Sequence, residues 1–441
     1  MVLSALEAAL RGVDPALLVK RSVTFDKELE VQDIRGTTSR LRGFKNIYVV
    51  GAGKAAASMA NALCAVLGEK IADGAISVPY GDSAKLKKRN RSIISVTEAS
   101  HPVPDNSGLE GSNKILNVLR KARKDDVVFV LISGGGSALM PLPPAAISLS
   151  DKQKITNRLL RSGASIHEMN VIRKHLSSVK GGQLLRHVES SCRVISLIIS
   201  DVIDDDFSSI ASGPTFPDSS TFSDALNIAR KYDVGKESDP AIQYLATGAD
   251  GILRETPKPG DAVFDRVNNV LIGNNSIACN GAASFLRSHG IKTLYLGSQF
   301  DGEAKQFGAF LARLATDLDK NLSLPFAIVL GGETTVNLRQ AKVGTGGRNL
   351  ESALSYAIEI KSLPLAIAFL GTDGIDGNSD AAGAIVSKKT VTLAMKRKQE
   401  LRKRLSSHDS YHTLRKLNSV IFTGRTGTNV NDIVVLCRTS T

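Results

Sequence analysis

Tryptophan is absent from this 441-residue chain, and aromatic residues make up only 5% of it. Platforms for base stacking are therefore scarce, and no nucleic-acid-binding motif appears. The four cysteines, Cys64, Cys192, Cys279 and Cys437, are widely spaced and form no CxxC pair. That spacing argues against a zinc site or a disulfide framework and suits a reducing compartment. No run approaches the roughly 20 apolar residues a membrane span needs. The opening stretch MVLSALEAALRGVDP carries Glu7 within its apolar part and no basic flank before it. It reads as an amphipathic helix rather than a signal peptide. The cytoplasm is the expected compartment, and the mitochondrion is left open, although the stretch is poor in arginine.

What is present points to a soluble, multidomain chain. The apolar fraction is 42% and the charged fraction 22%, ordinary values for a globular protein. The length exceeds what one compact core organises, so two or three domains are expected. The formal net charge is +13. Such a balance suits either a polyanion surface or the gathering of small anionic substrates. The basic runs Lys85–Arg91 and Lys396–Arg404 read as solvated faces. Neither a nucleic-acid nor a membrane partner is expected.

Short apolar runs alternate with helical patterns. They include 46–50, 127–132, 194–199, 326–330, 365–370 and 433–436. Most lack period-two alternation, as strands buried on both faces of a parallel sheet do. Alternating strand and helix predicts an α/β fold. The stretch 247–263 holds Gly, Pro and mixed charge without an apolar period, and is the best boundary candidate. It separates a larger domain, residues 1–250, from a smaller one, residues 260–441.

Four glycine-rich turns each follow a predicted strand, where ligands of open α/β sheets bind. Gly51-Ala52-Gly53-Lys54-Ala55-Ala56 is a GxGxxA variant of the dinucleotide fingerprint, with a lysine that suits phosphate or carboxylate. It lacks Walker A spacing, and a plain strand–helix turn reads equally well. Ser133-Gly134-Gly135-Gly136-Ser137 offers backbone N–H groups and two hydroxyls as an anion cradle. Gly331-Gly332-Glu333-Thr334 is followed by Gly344-Thr345-Gly346-Gly347-Arg348-Asn349, which places an arginine just before a helix. Gly371-Thr372-Asp373-Gly374-Ile375-Asp376-Gly377 carries two carboxylates of the type that holds Mg²⁺, or forms an Asx turn without a ligand. Asp201 stands at a strand end, where a metal ligand or base is often found. The basic segment Asn170–Gly182, with Arg173, Lys174, His175 and Lys180, reads as an amphipathic helix that could line an anion site. His101-Pro102-Val103-Pro104-Asp105 reads as a rigid loop, with a binding role left open.

Taken in order, these segments resemble the glycerate 2-kinase family, whose C-terminal module is called MOFRL. The matching stretches are VVGAGKAA, HPVPD, LISGGGSAL, NVIRKHLSSVKGG, LIISDV, IASGPT, LIGNN, LGGETT, GTGGRN, GTDGIDG and TGRTGTNVND. They cover nearly the whole chain. The resemblance implies an N-terminal Rossmann-like parallel sheet and a smaller α/β C-terminal domain, with the MOFRL region at about 325–437. It implies an active site in a cleft between the domains and ATP-dependent phosphorylation of D-glycerate with Mg²⁺, typically to 2-phosphoglycerate. Lys54 and Arg348 fall where the family has its two key basic residues. With Asp201 they are the catalytic candidates. The binding candidates are Gly51, Gly53, Ser133, Gly134, Gly135, Gly136, Ser137, Lys180, Gly332, Glu333, Gly346, Gly347, Asn349 and Asp373. Asp201 and Asp373 are the metal candidates. ATP and D-glycerate are the expected small-molecule partners, and a homodimer is left open. The chain departs from the family at Asp204-Asp205-Asp206, where Gly-Asp-Pro is common, and at 408–412, where an Asn often precedes Asp409.

Two rivals stand beside this reading. A nicotinamide-dependent dehydrogenase is suggested by GxGxxA, but its acidic residue at the end of the second strand is poorly matched: Glu69 precedes that strand and Asp82 follows it. A non-catalytic sugar-phosphate sensor would bind through Ser133–Ser137 without consuming ATP.

Overall fold

The computed structural model of the protein describes residues 1–338, 343–360 and 365–439. The chain divides into two compact units, Pro15–Ile272 and Met1–Asp14 with Gly273–Thr441. Among the described residues no helix is long and apolar enough to cross a membrane.

In the first unit, β1 (Val23–Phe25), β2 (Leu29–Gln32) and β3 (Thr38–Leu41) form a small antiparallel sheet. The main sheet comprises β4 (Ile47–Ala52), β5 (Ile71–Pro79), β6 (Ile94–Ala99), β7 (Val127–Ile132), β8 (Arg193–Ile199) and β9 (Val267–Gly273). Its order is β6-β5-β4-β7-β8-β9, with parallel pairing from β6 through β8. Counted within the sheet this is the 3-2-1-4-5-6 order of doubly wound dinucleotide-binding folds. The order reverses between β4 and β7, so the crevice beyond their carboxyl ends is the place a ligand would occupy. Every residue of β4 and of β7 is buried, which is why neither strand shows polar alternation.

The flanking helices are set by local signals. Asp105, ending the HPVPD loop, accepts a hydrogen bond from the Gly108 N–H and caps the helix Asn106–Leu119. Ser148 with Asp151, and Ser165 with Glu168, form capping boxes that start the helices Leu149–Ser162 and Ile166–His175. The aperiodic stretch 247–263 is held within this unit by polar bonds. Glu255 accepts from the Phe222 N–H, Thr256 donates to Asp218, and the Arg186 guanidinium donates to the Glu255 carbonyl.

The second unit carries β10 (Lys292–Tyr295), β11 (Phe326–Gly332), β12 (Ala366–Gly371), β13 (Gly383–Val386), β14 (Val420–Ile421) and β15 (Asp432–Arg438) in the order β10-β11-β15-β12-β13-β14. Among the described strands of this unit, only β10 and β11 pair in parallel. The run 433–436 reads in the sequence like a parallel strand, yet β15 lies antiparallel between β11 and β12. Burial on both faces erases alternation whatever the strand direction, so the pattern could not show it. The helices Ala304–Asn321 and Arg348–Glu359 pack against each other so closely that a Cβ on Gly308 would stand 2.1 Å from the Ser352 carbonyl oxygen. The first helix, Val2–Gly12, buries Val2, Ala5, Leu6 and Ala9, and its Ala8 carbonyl lies against Gly281 of the helix Asn275–Ser288. The chain's start is therefore part of this second unit.

Candidate functional site

The first unit brings together the turns after β4 and β7. The Lys54 N–H donates to the Gly134 carbonyl at 2.9 Å, and the Ala55 N–H donates to Ser133 Oγ at 3.1 Å. Gly53 has φ +141, and a Cβ there would stand 2.1 Å from Ser133 Oγ. The glycine that looked like a cofactor approach is thus required by the neighbouring turn. Gly51 is tight for the same reason, since its Cβ would come within 2.5 Å of the Leu131 carbonyl oxygen. Gly136 lies against the Ala52 carbonyl and the Ala211 side chain. Gly135 sits with φ +84 between the His101 ring and the Lys54 side chain. His101, from the loop whose binding role the sequence leaves open, is therefore a neighbour of the cradle.

Gly53→Ala is expected to cost about 3 kcal/mol of unfolding free energy, because the new methyl meets backbone and hydroxyl at once and φ is unfavourable. Denaturant unfolding measures it, and a loss below about 0.5 kcal/mol would contradict this packing.

The other wall of the cradle is polar. Ser137 Oγ lies 3.1 Å from Ser212 Oγ, which donates to Asn170 Oδ1 at 3.2 Å. Lys180 is buried, and its Nζ donates to the Ser137 carbonyl at 2.7 Å. Burial, with Lys152 and Arg173 nearby, holds the Lys180 ammonium well below its usual range. Ala211, Ser212 and Gly213 all have positive φ, 50°, 60° and 61°. For two non-glycine residues in succession this is strained backbone, of the kind found at ligand clamps. The turn is fixed by Gly181 and Gly182, whose N–H groups donate to the Ser212 and Gly213 carbonyls.

Asp201 follows β8, which pairs with β7, so it stands at the same edge of the sheet and is half-buried. Within Asp204-Asp205-Asp206, where the chain departs from the family's Gly-Asp-Pro, Asp206 accepts from Ser208 and Ser209 and organises its own turn. Those bonds, against the cost of burial, keep its carboxyl below the ordinary value. His175 is a core residue. Its Nδ1 contacts the Val171 carbonyl at 2.8 Å and its Nε2 lies 3.3 Å from Glu255.

The second unit centres on Arg348, the first residue of its helix. Arg348 Nε donates to Asp432 Oδ2 at 2.6 Å and Nη2 to Oδ1 at 3.1 Å, while Nη1 donates to Glu333. Asn349 Nδ2 donates to Asp432 at 2.9 Å and to Asp376 at 3.3 Å. Asp376 also accepts the Asn349 and Leu350 N–H groups, at 3.1 and 2.8 Å, and so caps this helix. Burial pushes the Asp376 carboxyl up to about 7 despite those donors, and burial also raises Asp432 against the pull of Arg348. Gly347 packs against Asp376, and the Gly346 N–H donates to Asn378. Gly332 and Gly371, on β11 and β12, flank Asp432 across the sheet.

Asp373 accepts the Ile375 N–H at 3.1 Å, as an Asx turn does. Its turn is tied to the loop before β15 through Thr426, which donates to the Thr372 and Asp373 carbonyls. Within the first unit the structure thus joins Gly51, Gly53, Lys54, the Ser133–Ser137 turn and Lys180. Within the second it joins Gly332, Glu333, Gly346, Gly347, Arg348, Asn349 and the turn bearing Asp373.

Asp432 and Asp376 organise Arg348 and Asn349. The sequence marks Asp376 together with Asp373 as a carboxylate of the type that holds Mg²⁺, but not as the cap of the Arg348 helix. Asp432 opens a strand, so a search of strand ends passes over it.

Residues 1–246 match the family described as "Domain of unknown function (DUF4147)", and residues 326–432 match the MOFRL family. The chain is 39% identical to the glycerate 2-kinase of Pyrococcus horikoshii, over 98% of this chain and 95% of that protein. A relative in Agrobacterium vitis, provisionally named a hydroxypyruvate reductase, is also 39% identical, over 97% of this chain and 91% of its own. The crystal structure of a glycerate kinase from Thermotoga maritima superposes with a TM-score of 0.82 at 35% identity, covering 98% of this chain and 97% of that one. The chain belongs to the glycerate kinase family of enzymes, with a C-terminal MOFRL region.

Proposed function

We propose that this enzyme transfers the γ-phosphoryl group of ATP to D-glycerate, giving 2-phosphoglycerate by direct in-line transfer. The observation that carries the reading is a pair of positioned cations. Lys54 sits between two interlocked glycine turns at the sheet's switch point, and Arg348 is fixed at a helix start by Asp432 and Glu333. Phosphoryl transfer asks for fixed charge and orientation more than for covalent chemistry. Lys54 and Arg348 would supply the positive charge that the glycerate carboxylate and the moving phosphoryl group need. The Ser133–Ser137 turn would hold polyphosphate oxygens.

Asp201 and Asp373 supply the oxygen ligands that Mg²⁺ prefers, and either would hold the ion or accept the hydroxyl proton. A cage of three or more His, Cys, Asp or Glu side chains is not found among the described residues. A magnesium ion carried on nucleotide phosphates does not need one, and when bound it would neutralise phosphate charge. Chelation with EDTA is expected to lower ATP turnover on D-glycerate by about 100-fold or more, with recovery on adding Mg²⁺. Undiminished turnover in excess chelator would remove the metal from this account.

The name of the Agrobacterium vitis relative revives nicotinamide chemistry as the second reading. Against it, β5 ends in Ser77-Val78-Pro79, with no carboxylate where a ribose would be bound. The glycines of the GxGxxA turn are already filled by Leu131 and Ser133.

A further inference from the structure

Lys152 has no role in the reading above. It sits in the first turns of the helix Leu149–Ser162, within a stretch, SDKQK, that looks like solvent-facing sequence. Its side chain is nevertheless buried, with 5% exposure for the residue, and its Nζ has no hydrogen-bond partner among the described residues. Two more cations lie close enough for their charges to act on one another. Arg173 is half-buried on the helix Ile166–His175, and Lys180 is 1% exposed just beyond it. Among the described residues none of the three has a carboxylate within ion-pair distance; Asp218, the nearby buried acid, is taken by Lys174 at 3.3 Å.

An unpaired buried cation is costly, and three together repel one another. The alternative is a core lysine kept neutral, and burial does hold Lys152 down to about 7. That alternative accounts for Lys152 but not for the two further cations, Arg173 and Lys180, whose charges act on one another and on it. Lys180 joins them to it directly by donating to the Ser137 carbonyl. Asn170, one turn before Arg173, joins them again through Ser212 and Ser137.

We infer that Lys152, Arg173 and Lys180 form a buried oxyanion subsite beside the Ser133–Ser137 turn, taking either a phosphate group or the carboxylate of a small hydroxy acid. Only the choice of D-glycerate and ATP as probes rests on the proposed kinase reading; the anion site itself does not.

The test is calorimetric titration of the full chain and of Lys152→Met with inorganic phosphate, D-glycerate and ATP separately, together with thermal unfolding without added anion. Methionine keeps the length of the side chain and removes the charge. The variant is expected to unfold at or above the wild-type temperature and to lose at least about tenfold affinity for one class of probe. Weakened D-glycerate with unchanged phosphate and ATP assigns the subsite to the carboxylate. Weakened phosphate and ATP with unchanged D-glycerate assigns it to a phosphate group. Equal affinities in both proteins for every probe, or no binding of any probe to the wild type, would overturn the subsite. Arg173→Met, at a half-exposed position, repeats the comparison should Lys152→Met fail to fold. Because binding is read without turnover, a protein that consumes no ATP but shows the Lys152→Met loss with phosphate would refute the kinase and keep the subsite.

Discussion

Arg348→Ala is expected to lower kcat by about 10³-fold or more and to destabilise the second unit by about 3–5 kcal/mol. The two effects have separate causes. The guanidinium is gripped from one side by both oxygens of Asp432, a buried carboxylate, and from the other by the more exposed Glu333. Truncation leaves Asp432 buried, with Asn349 its one remaining side-chain donor among the described residues. Breaking one partner of a buried pair costs far more than the pair contributes, because the remaining charge cannot return to water. A catalytic defect alone would therefore misstate the role of Arg348.

The double variant Arg348→Ala with Asp432→Asn separates the two. It is expected to regain most of the lost stability, since the stranded charge is gone, and none of the turnover. Recovery of turnover in the double variant would mean that Arg348 serves the fold and not the reaction. Glu333 has a place in the same argument. An arriving phosphate would compete with it for Nη1, so Glu333 would hold Arg348 in place until the ligand binds.

Lys54→Met is expected to behave differently, with kcat lowered by about 10²–10⁴-fold and Tm changed by no more than a few degrees. The turn bearing Lys54 is built by its backbone. The Lys54 N–H bonds Gly134, the Ala55 N–H bonds Ser133, and Gly53 makes room for both. Methionine disturbs none of these. The side chain projects past Gly135, beside His101. The contrast is the informative part: Arg348 is held by ion pairs whose loss is felt in stability, whereas the turn that carries Lys54 is closed by backbone bonds that methionine leaves in place. Near-normal turnover of Lys54→Met would remove that residue from the mechanism.

The parts of the site that were legible in the sequence share one property. Glycine clusters after buried apolar runs mark strand ends at a sheet edge, and the turns at Gly51, Ser133, Gly331 and Gly371 all stand there. What the pattern did not show is the local packing behind the glycines: a Cβ on Gly53 would meet Ser133, and one on Gly347 would meet Asp376. Asp432 escaped because β15 runs antiparallel, which brings the start of that strand to the edge where β11 and β12 end. Lys152 escaped because a lysine among polar residues reads as solvated, and only tertiary packing shows its burial. The first helix shows the same limit, since an amphipathic stripe records that one face is covered but not which sheet covers it.

The most direct measurement of the central claim is incubation of the purified protein with ATP, Mg²⁺ and D-glycerate, with ATP consumption followed and the product identified by ³¹P and ¹³C NMR. The account predicts stoichiometric formation of ADP and 2-phosphoglycerate. No ATP consumption by the folded protein, together with NADH-dependent reduction of hydroxypyruvate, would contradict it.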